Sequence, residues 1–339
     1  MKGMEENTLH TSTIDFVIPW VDGNDPEWVE KRNKYQVRRG DNLHPARYRD
    51  WGLLLYLFRG IEAFAPWVRN IYFITDHQAP SWLNTVHPKL RVTSLEEFMS
   101  PEYLPTFNSM AIELNLHHIA GLSETFVYLN DDMFFLSPVK GSQFFRNGLP
   151  RDSAVLSPVI IRKHMDLSRV VVNSIGIINQ YFRKNDVIMQ KPANWLNLRY
   201  GKQLLQTICL IPWRHFPGFY NDHLPQPFLK ETFRKVWNTE GEILHEICCH
   251  RFRNYYEDTC NWLMRYWQLC ENRFQPIGTC RGKNFDMTQL PEVLRAIRKR
   301  QWPMICVNDS ESIEDIKETR EQLAAAFEEI LPCKSAFER

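Results

Sequence analysis

Acidic and amide side chains follow three short apolar runs that have the composition of buried β-strands. Val21 leads into Asp22, Leu129 into Asn130-Asp131-Asp132, and Val307 into Asn308-Asp309. In an open α/β sheet the carboxyl ends of the strands gather at one edge, and ligands bind there. Carboxylate oxygens are the hard ligands that Mg²⁺ and Mn²⁺ prefer, and such a cation bridges phosphate oxygens. The pattern therefore favours a phosphate-handling metal site.

A simpler interpretation of the same pattern is that Asp131 and Asp132 cap the turn after their strand. The convergence of three strand ends favours the metal site, with Asp131, Asp132 and Asp309 as candidate ligands. The candidate positions for holding a bound cofactor or donor are Asp22, Asn130 and Asn308.

Three further residue types could assist a transfer reaction. Glu113 lies 19 residues before Asp132 (132 − 113) among apolar neighbours on a predicted helix, where it is either near a cleft or partly exposed. His223 lies in a loop, and a histidine can take a proton from a hydroxyl near neutral pH. The chain has 11 histidines, so position alone does not select His223. Arg253 could bind phosphate through its guanidinium, or could have only a structural role.

The elements that must position these residues change character along the chain. Apolar β-branched runs alternating with helical patterns predict parallel strands joined by crossover helices in the first half. The predicted strands are 14–21, 70–75, 89–93, 125–129 and 304–307. The predicted helices are 51–64, 108–119, 168–181, 227–237, 243–253, 260–269 and 312–330, and Asp25 with Pro26 is expected to begin another.

These patterns divide the chain into four parts. We expect a polar tail over 1–13, an α/β core over 14–160, and a mainly helical lobe over 161–300. Residues 301–339 are expected to return to the core with a strand and a final helix.

Composition excludes several classes of protein. The net charge of +1 and the lack of a basic patch argue against a nucleic-acid partner. No run of about 18 apolar residues predicts a membrane-spanning helix, and the polar N-terminus does not resemble a signal peptide. The eight cysteines lack Cys-x-x-Cys spacing and predict reduced thiols, so a cytoplasmic protein is expected. Phosphate-binding-loop, dinucleotide, zinc-protease and serine-hydrolase motifs are absent from the sequence.

Four separated blocks of the sequence resemble one family. The first is Ile14-Asp-Phe-Val-Ile-Pro-Trp-Val-Asp-Gly-Asn-Asp-Pro-Glu-Trp28. The second runs from Arg47-Tyr-Arg-Asp50 through Leu104-Pro-Thr-Phe-Asn-Ser109 to Asn130-Asp-Asp132. The third comprises His223-Leu-Pro225 with Phe252-Arg253, and the fourth is Ile305-Cys-Val-Asn-Asp309. Together they are similar to the Stealth family of hexose-1-phosphoryltransferases. That family includes bacterial capsular polysaccharide enzymes and the catalytic subunit of the animal N-acetylglucosamine-1-phosphotransferase.

The resemblance implies a function that composition does not show. It implies a Rossmann-like, glycosyltransferase-A-like core with a helical insertion or second lobe. Glu113, Asp132, His223 and Arg253 match the family's essential residues. The implied reaction transfers a sugar-1-phosphate from a UDP-sugar to a hydroxyl of a glycan acceptor and releases UMP, in capsular or extracellular polysaccharide synthesis. His223 is the first candidate for the general base, and Glu113 is the second.

Two other functions remain open at this point. A metal-dependent glycosyltransferase would use the same strand-end aspartates and release UDP. A non-catalytic glycan-binding protein could use the Trp and Tyr side chains as a platform for sugars. The acceptor could be linked to a lipid, and the basic run Arg295–Arg300 could contact an anionic membrane at its inner face, although a solvated helix face is the favoured interpretation of that run.

Overall fold

The computed structural model describes residues 13–36, 48–161 and 167–339. The predicted polar tail, apart from Thr13, and Arg47 of the second block lie outside the described residues. Within them, the strands are β1 Ile14–Pro19, β2 Ile71–Thr75, β3 Leu90–Ser94, β4 Thr125–Tyr128, β5 Met133–Phe135, β6 Phe145–Arg146, β7 Leu149–Asp152, β8 Gln226–Leu229, β9 Gln275–Pro276, β10 Lys283–Asp286 and β11 Met304–Asn308. The α-helices are α1 Pro26–Tyr35, α2 Leu54–Phe64, α3 Ser109–Leu114, α4 Leu167–Tyr181, α5 Lys184–Gln190, α6 Pro192–Trp195, α7 Gln203–Leu210, α8 Lys230–Cys249, α9 Asn261–Cys270, α10 Leu290–Arg298 and α11 Ile316–Ile330.

The main sheet has the strand order β3-β2-β1-β4-β8. Its first four strands are parallel, and β8 joins the edge antiparallel to β4. Both faces of this sheet are covered, which explains why β1 is buried along almost its whole length. Phe16 and Ile18 face one hydrophobic core and Val17 faces the other, as the two-residue period of a strand requires. The predicted α/β class with a parallel, Rossmann-like core is confirmed.

A second, smaller sheet pairs a strand near the end of the chain with a strand from its first half. Its order is β10-β11-β5, with β11 antiparallel to β5 and Cys306 opposite Met133. The backbone N–H of Val307 donates to the carbonyl of Asp132 at 2.9 Å. The predicted return of the chain through strand 304–307 is therefore confirmed, and it fixes the turn that carries Asp132. A third sheet has the order β6-β7-β9.

Several predicted element boundaries are correct for physical reasons visible in the structure. Asp25 accepts hydrogen bonds from the backbone N–H groups of Glu27 and Trp28 at 2.9 and 3.0 Å, so it caps α1 with Pro26 in the first turn. The predicted helices 168–181 and 260–269 match α4 and α9 within one residue at each end. All eight cysteines are free thiols, as expected.

Other boundaries were wrong. Residues 227–229 form part of strand β8 rather than the start of a helix, because the exposed edge of β4 offers backbone partners that local helical pattern does not reveal. The break predicted between two helices at 238–242 is narrower than expected: two helical stretches meet at a kink where Glu240 alone has non-helical φ and ψ, and together they form α8. The same helix ends at Cys249, so His250 to Arg253 form a loop rather than a last helical turn.

Three predicted helices are shorter than expected. The helix predicted over 51–64 begins at Leu54, and that predicted over 312–330 begins at Ile316, where Asp315 caps it. The helix predicted over 108–119 ends at Leu114 and is followed by a 3₁₀ turn. No helix of the described residues is long and apolar enough to cross a membrane. The four-part division of the chain remains a prediction.

Candidate active site

A cavity of about 400 Å³ opens at the carboxyl ends of β1, β2 and β4. Its wall brings together most of the residues that the sequence singles out: Glu113, Asn130, Asp131, Asp132, His223, Arg253 and Asp309. The remaining two do not line it. The Asp22 carboxylate accepts from the backbone N–H of Asn24, and the Asn308 amide donates to Asn284 at 2.7 Å. Asp22 and Asn308 therefore follow wall residues Val21 and Val307 in the chain without lining the cavity themselves.

The turn between β4 and β5 carries the paired carboxylates. Burial raises the pKa of Asp131 to about 7, and the neighbouring charges of Asp132 and Asp50 add to this effect. Burial likewise raises the pKa of Asp132, and the nearby His223 opposes the shift. Carboxyl groups crowded in this way favour a positive charge between them.

The surroundings of Asp132 fit a divalent cation. The Oδ1 atom of Asp132 is buried and has no hydrogen-bond partner among the described residues. A carboxylate oxygen of Asp132, a ring nitrogen of His223 and the Sγ atom of Cys306 all lie within 4.8 Å of one another. Burial and the neighbouring Asp132 raise the pKa of the Cys306 thiol well above its usual value, and a thiol is in any case a soft ligand that suits Mg²⁺ and Mn²⁺ poorly. The hard oxygen atoms suit Mg²⁺ or Mn²⁺ better than a soft metal.

The loop that carries His223 is anchored by buried side chains. Its backbone has a positive φ of 49°, a conformation that is uncommon for residues other than glycine. Two buried arginines fix the preceding residues: Arg265 donates to the Asn221 amide oxygen at 2.6 Å, and Arg281 donates to the Asp222 carboxylate at 2.7 Å. Arg265 is itself anchored by a two-pronged ion pair with Asp152, with both contacts at 2.8 Å. The loop that carries the imidazole is therefore anchored before any ligand binds.

Glu113 faces the cavity from α3 with both of its oxygens engaged. Oε1 accepts from the Tyr128 hydroxyl at 3.3 Å, and Oε2 accepts from the Asn261 backbone N–H at 3.2 Å. Burial raises the pKa of Glu113, whereas these donors and the nearby charge of Arg253 oppose the shift. The sequence left open whether Glu113 is exposed or near a cleft, and the structure places it in the cleft.

Arg253 lies in the loop that follows α8. Its guanidinium donates to the Ser109 hydroxyl at 2.7 Å. The fully buried Asp258 holds that loop through His250 and the backbone N–H of Asn254. Asp258 also accepts from Asn108 at 2.9 Å, and Asn108 caps the helix that carries Glu113. Arg253 and Glu113 therefore share one rigid support.

Sequence reasoning missed two groups of residues in this wall. Arg265, Arg281 and Asp222 hold the His223 loop, but nothing in their local pattern signals a buried ion pair. Trp20 and Trp51 line the cavity, and their indole N–H groups are buried without a hydrogen-bond partner among the described residues. The position of Trp20 between a strand and Asp22 was the one available signal.

Comparison with known proteins places this site in a family. Residues 13–36 match Stealth protein CR1, conserved region 1, and residues 47–152 match Stealth protein CR2, conserved region 2. The chain is 40% identical over 343 residues to the capsular polysaccharide phosphotransferase WcwK of Streptococcus pneumoniae, covering 100% of both chains. The chain belongs to the Stealth family.

Other comparisons agree with this placement. The chain is 39% identical to the exopolysaccharide phosphotransferase cps2G of Lactiplantibacillus plantarum, again over 100% of both chains. The Stealth assignment makes the protein an enzyme that transfers phosphate-containing groups. Among solved structures it is similar to the bifunctional glycosyltransferase WbbM, at 11% identity and a TM-score of 0.39 over 95% of this chain and 50% of that one. A likeness of that size carries no argument about function.

Proposed function

We propose that this Stealth enzyme transfers a sugar-1-phosphate from a UDP-sugar to a hydroxyl of a glycan acceptor during capsular or extracellular polysaccharide synthesis. The observation that supports it most is the meeting of Glu113, Asp132, His223 and Arg253 in one cavity, although they come from four separate segments. Names of relatives that refer to capsular polysaccharide and exopolysaccharide support the same acceptor class. We place the reaction in the cytoplasm, where UDP-sugars are made.

The proposed reaction is a displacement at phosphorus. The acceptor oxygen forms a bond to the β-phosphorus, the bond from that phosphorus to the bridging oxygen breaks, and UMP leaves with the bridging oxygen. The bond between the sugar and its phosphate stays intact, so the anomeric configuration is kept. The transition state spreads negative charge over the phosphoryl oxygens, which makes positioning and charge neutralisation the main needs.

Each residue of the cavity has a task in this scheme. His223 takes the proton from the acceptor hydroxyl, since buried arginines anchor the loop that carries it and Asp132 lies close enough to balance its charge. Arg253 binds the transferred phosphoryl group. Glu113 accepts from Tyr128 and from the backbone N–H of Asn261, and its charge lies near Arg253, so its proposed task is to position these groups rather than to act as the base. Asp131, Asp132 and Asp309 would hold Mg²⁺ or Mn²⁺, which when bound neutralises charge on the pyrophosphate.

Product analysis tests this proposal directly. The full-length enzyme is incubated with a panel of UDP-sugars, a glycan acceptor and Mg²⁺, and the nucleotide products are separated. UMP release with a phosphodiester in the glycan is the expected result. UDP release with a plain glycoside would show a glycosyltransferase instead, and a lack of turnover with every donor would favour a glycan-binding protein. The Asp132→Asn variant is the matched control for background hydrolysis.

A further inference from the structure

A surface formed by α7 and the segments next to it exposes several large apolar side chains. Helix α7 buries Thr207 and exposes Leu205 and Ile208, which lie three residues apart on its outer face. The Thr207 hydroxyl accepts from the backbone N–H of Leu156 at 3.1 Å, which fixes this orientation. A helix that faces water shows the opposite arrangement.

Neighbouring segments extend the apolar area. The backbone N–H of Val159 donates to the carbonyl of Pro217 at 3.2 Å, and the Gln206 amide donates to the Ser157 hydroxyl at 3.2 Å. These contacts bring residues 157–161 beside α7 and the loop after it. We call this area the Leu205 surface, and its exposed apolar members are Ile160, Ile161, Leu205, Ile208 and Trp213.

The segment that carries most of the Leu205 surface has charges of one sign. Residues 187–221 contain no Asp or Glu, although the whole chain has 40 acidic residues and a net charge of +1. The exposed cations in or next to the surface are Arg199, Lys202 and Arg214. None of the three forms an ion pair with a described residue. Such cations around exposed Leu, Ile and Trp side chains complement an anionic lipid surface, because the apolar side chains enter the boundary region while the cations meet the headgroups.

The basic run Arg295–Arg300 is a poorer candidate for membrane contact. Arg298 pairs with Glu329, and the Arg300 guanidinium donates to the carbonyl of Ile330. Both residues therefore pack α10 against α11. The buried side of α10, which includes Val293 and Ile297, faces the core and leaves no apolar face for lipid.

We propose that the Leu205 surface docks the enzyme onto an anionic membrane. Residues 211–220 run from this surface directly into the loop that carries His223. Docking would therefore present one side of the active cavity to acceptors held at the membrane surface. Binding to lipid does not depend on the identity of the nucleotide sugar, so the docking proposal and the proposed reaction can fail separately.

The test is sedimentation of the full-length protein with phosphatidylcholine vesicles that contain or lack phosphatidylglycerol. We expect binding to the anionic vesicles alone, weakened by salt. Lys202→Gln and Arg214→Gln should each lower the affinity about five-fold, and Leu205→Glu should abolish binding. All three variants should keep the turnover of a water-soluble acceptor.

Two matched control variants distinguish specific binding through the Leu205 surface from nonspecific binding to vesicles. Val86→Glu changes an apolar side chain that is 87% exposed on a distant loop, and Lys299→Gln removes a cation from the basic run on α10. Both should bind vesicles as the unmodified enzyme does. Equal binding to neutral vesicles, or unchanged binding by Leu205→Glu, would overturn the proposal. So would a dimer that Leu205→Glu dissociates in the absence of lipid, because the surface would then join two copies of the chain.

Discussion

The carboxylate of Asp132 and the imidazole of His223 approach within 4.8 Å, although 91 residues (223 − 132) separate them in the chain. Neither is held by the other. The strand pair β5–β11 fixes Asp132, whereas Arg265 and Arg281 fix the His223 loop. The two groups are thus set against each other by independent parts of the fold, which is how a site keeps its geometry when substrate is absent.

Replacing His223 with alanine should lower turnover by roughly 10²–10⁴-fold, because a positioned general base contributes about that much. Thermal unfolding should change little, since no hydrogen bond of the His223 ring supports the fold among the described residues. UMP release under saturating donor measures the effect. His215→Ala, which alters an exposed histidine outside the cavity wall, is the control and should be near normal. A larger loss in Glu113→Gln than in His223→Ala would reassign the base.

Replacing Asp132 with asparagine should abolish turnover and at the same time stabilise the metal-free protein. The carboxylate is buried with Oδ1 unpartnered, and an amide of the same shape removes a charge that burial disfavours. We expect a higher free energy of unfolding, because a neutral amide avoids the cost of burying the charge. Chemical denaturation in the presence of a chelator measures it. A loss of stability in Asp132→Asn would mean that the carboxylate has a structural partner.

Added Mn²⁺ or Mg²⁺ should stabilise the unmodified enzyme more than the Asp132→Asn variant. The unmodified enzyme should gain thermal stability with rising metal concentration, because ligand binding to the folded state shifts unfolding. Asp132→Asn should gain much less. Equal stabilisation of both proteins would place the ion elsewhere.

Replacing Arg265 with methionine should destabilise the fold by about 3–5 kcal/mol, the usual cost of leaving one partner of a buried ion pair alone. Asp152 would lose the two 2.8 Å contacts that keep its pKa below the usual range. Asn221 would lose its anchor as well, so turnover should fall even at temperatures where the variant is folded. Urea denaturation and turnover at low temperature measure the two effects.

Arg273→Ala provides the comparison for Arg265→Met. Arg273 forms a more exposed ion pair with Glu231, and pairs of that kind contribute about 0–1 kcal/mol. A similar loss of stability in both variants would mean that burial does not determine how much each ion pair contributes to the free energy of unfolding.

Acid should destabilise the protein through His117. Burial lowers the pKa of His117 to about 3, whereas in the unfolded chain it titrates near 6.5. The unfolded state therefore binds a proton first as the pH falls, so stability is lost below about pH 6.5 and continues to fall toward pH 3. Between pH 7 and pH 5 this residue should cost about 2 kcal/mol. His117→Phe keeps an aromatic ring against Phe233 and Trp237. This variant should lose less stability between pH 7 and pH 5 than the unmodified protein, as measured by urea denaturation at the two pH values.

The sequence predicts the strand-end half of the site because its determinants are local. Asp131 and Asp132 follow a buried run, and a parallel strand must deliver its carboxyl end to the ligand edge of the sheet. The sequence also indicates Glu113 as a candidate, because its helix directly precedes that strand in the chain. Residue pattern alone could not select His223 from 11 histidines, and only the resemblance to a family did so.

The remaining features depend on contacts between distant segments. The strand at 226–229 looks like the start of a helix until the open edge of β4 is available to pair with it. Arg265 has the sequence environment of an ordinary helix residue, and its role appears only where Asp152 and Asn221 meet it. The loop at 250–253 ends α8 early because the buried Asp258 binds His250. Local propensity carries no information about any of these partners.

The antiparallel pairing of β11 with β5 has a consequence for how the enzyme is made. The turn at Asp132 is synthesised early, yet the strand that holds it in register comes some 170 residues later (304 − 133 = 171). During synthesis, therefore, the carboxylates of the turn emerge from the ribosome long before their geometry can be set, and contacts of such high sequence separation form late. A truncated chain that ends before β11 should bury its first strands and still lack a competent site.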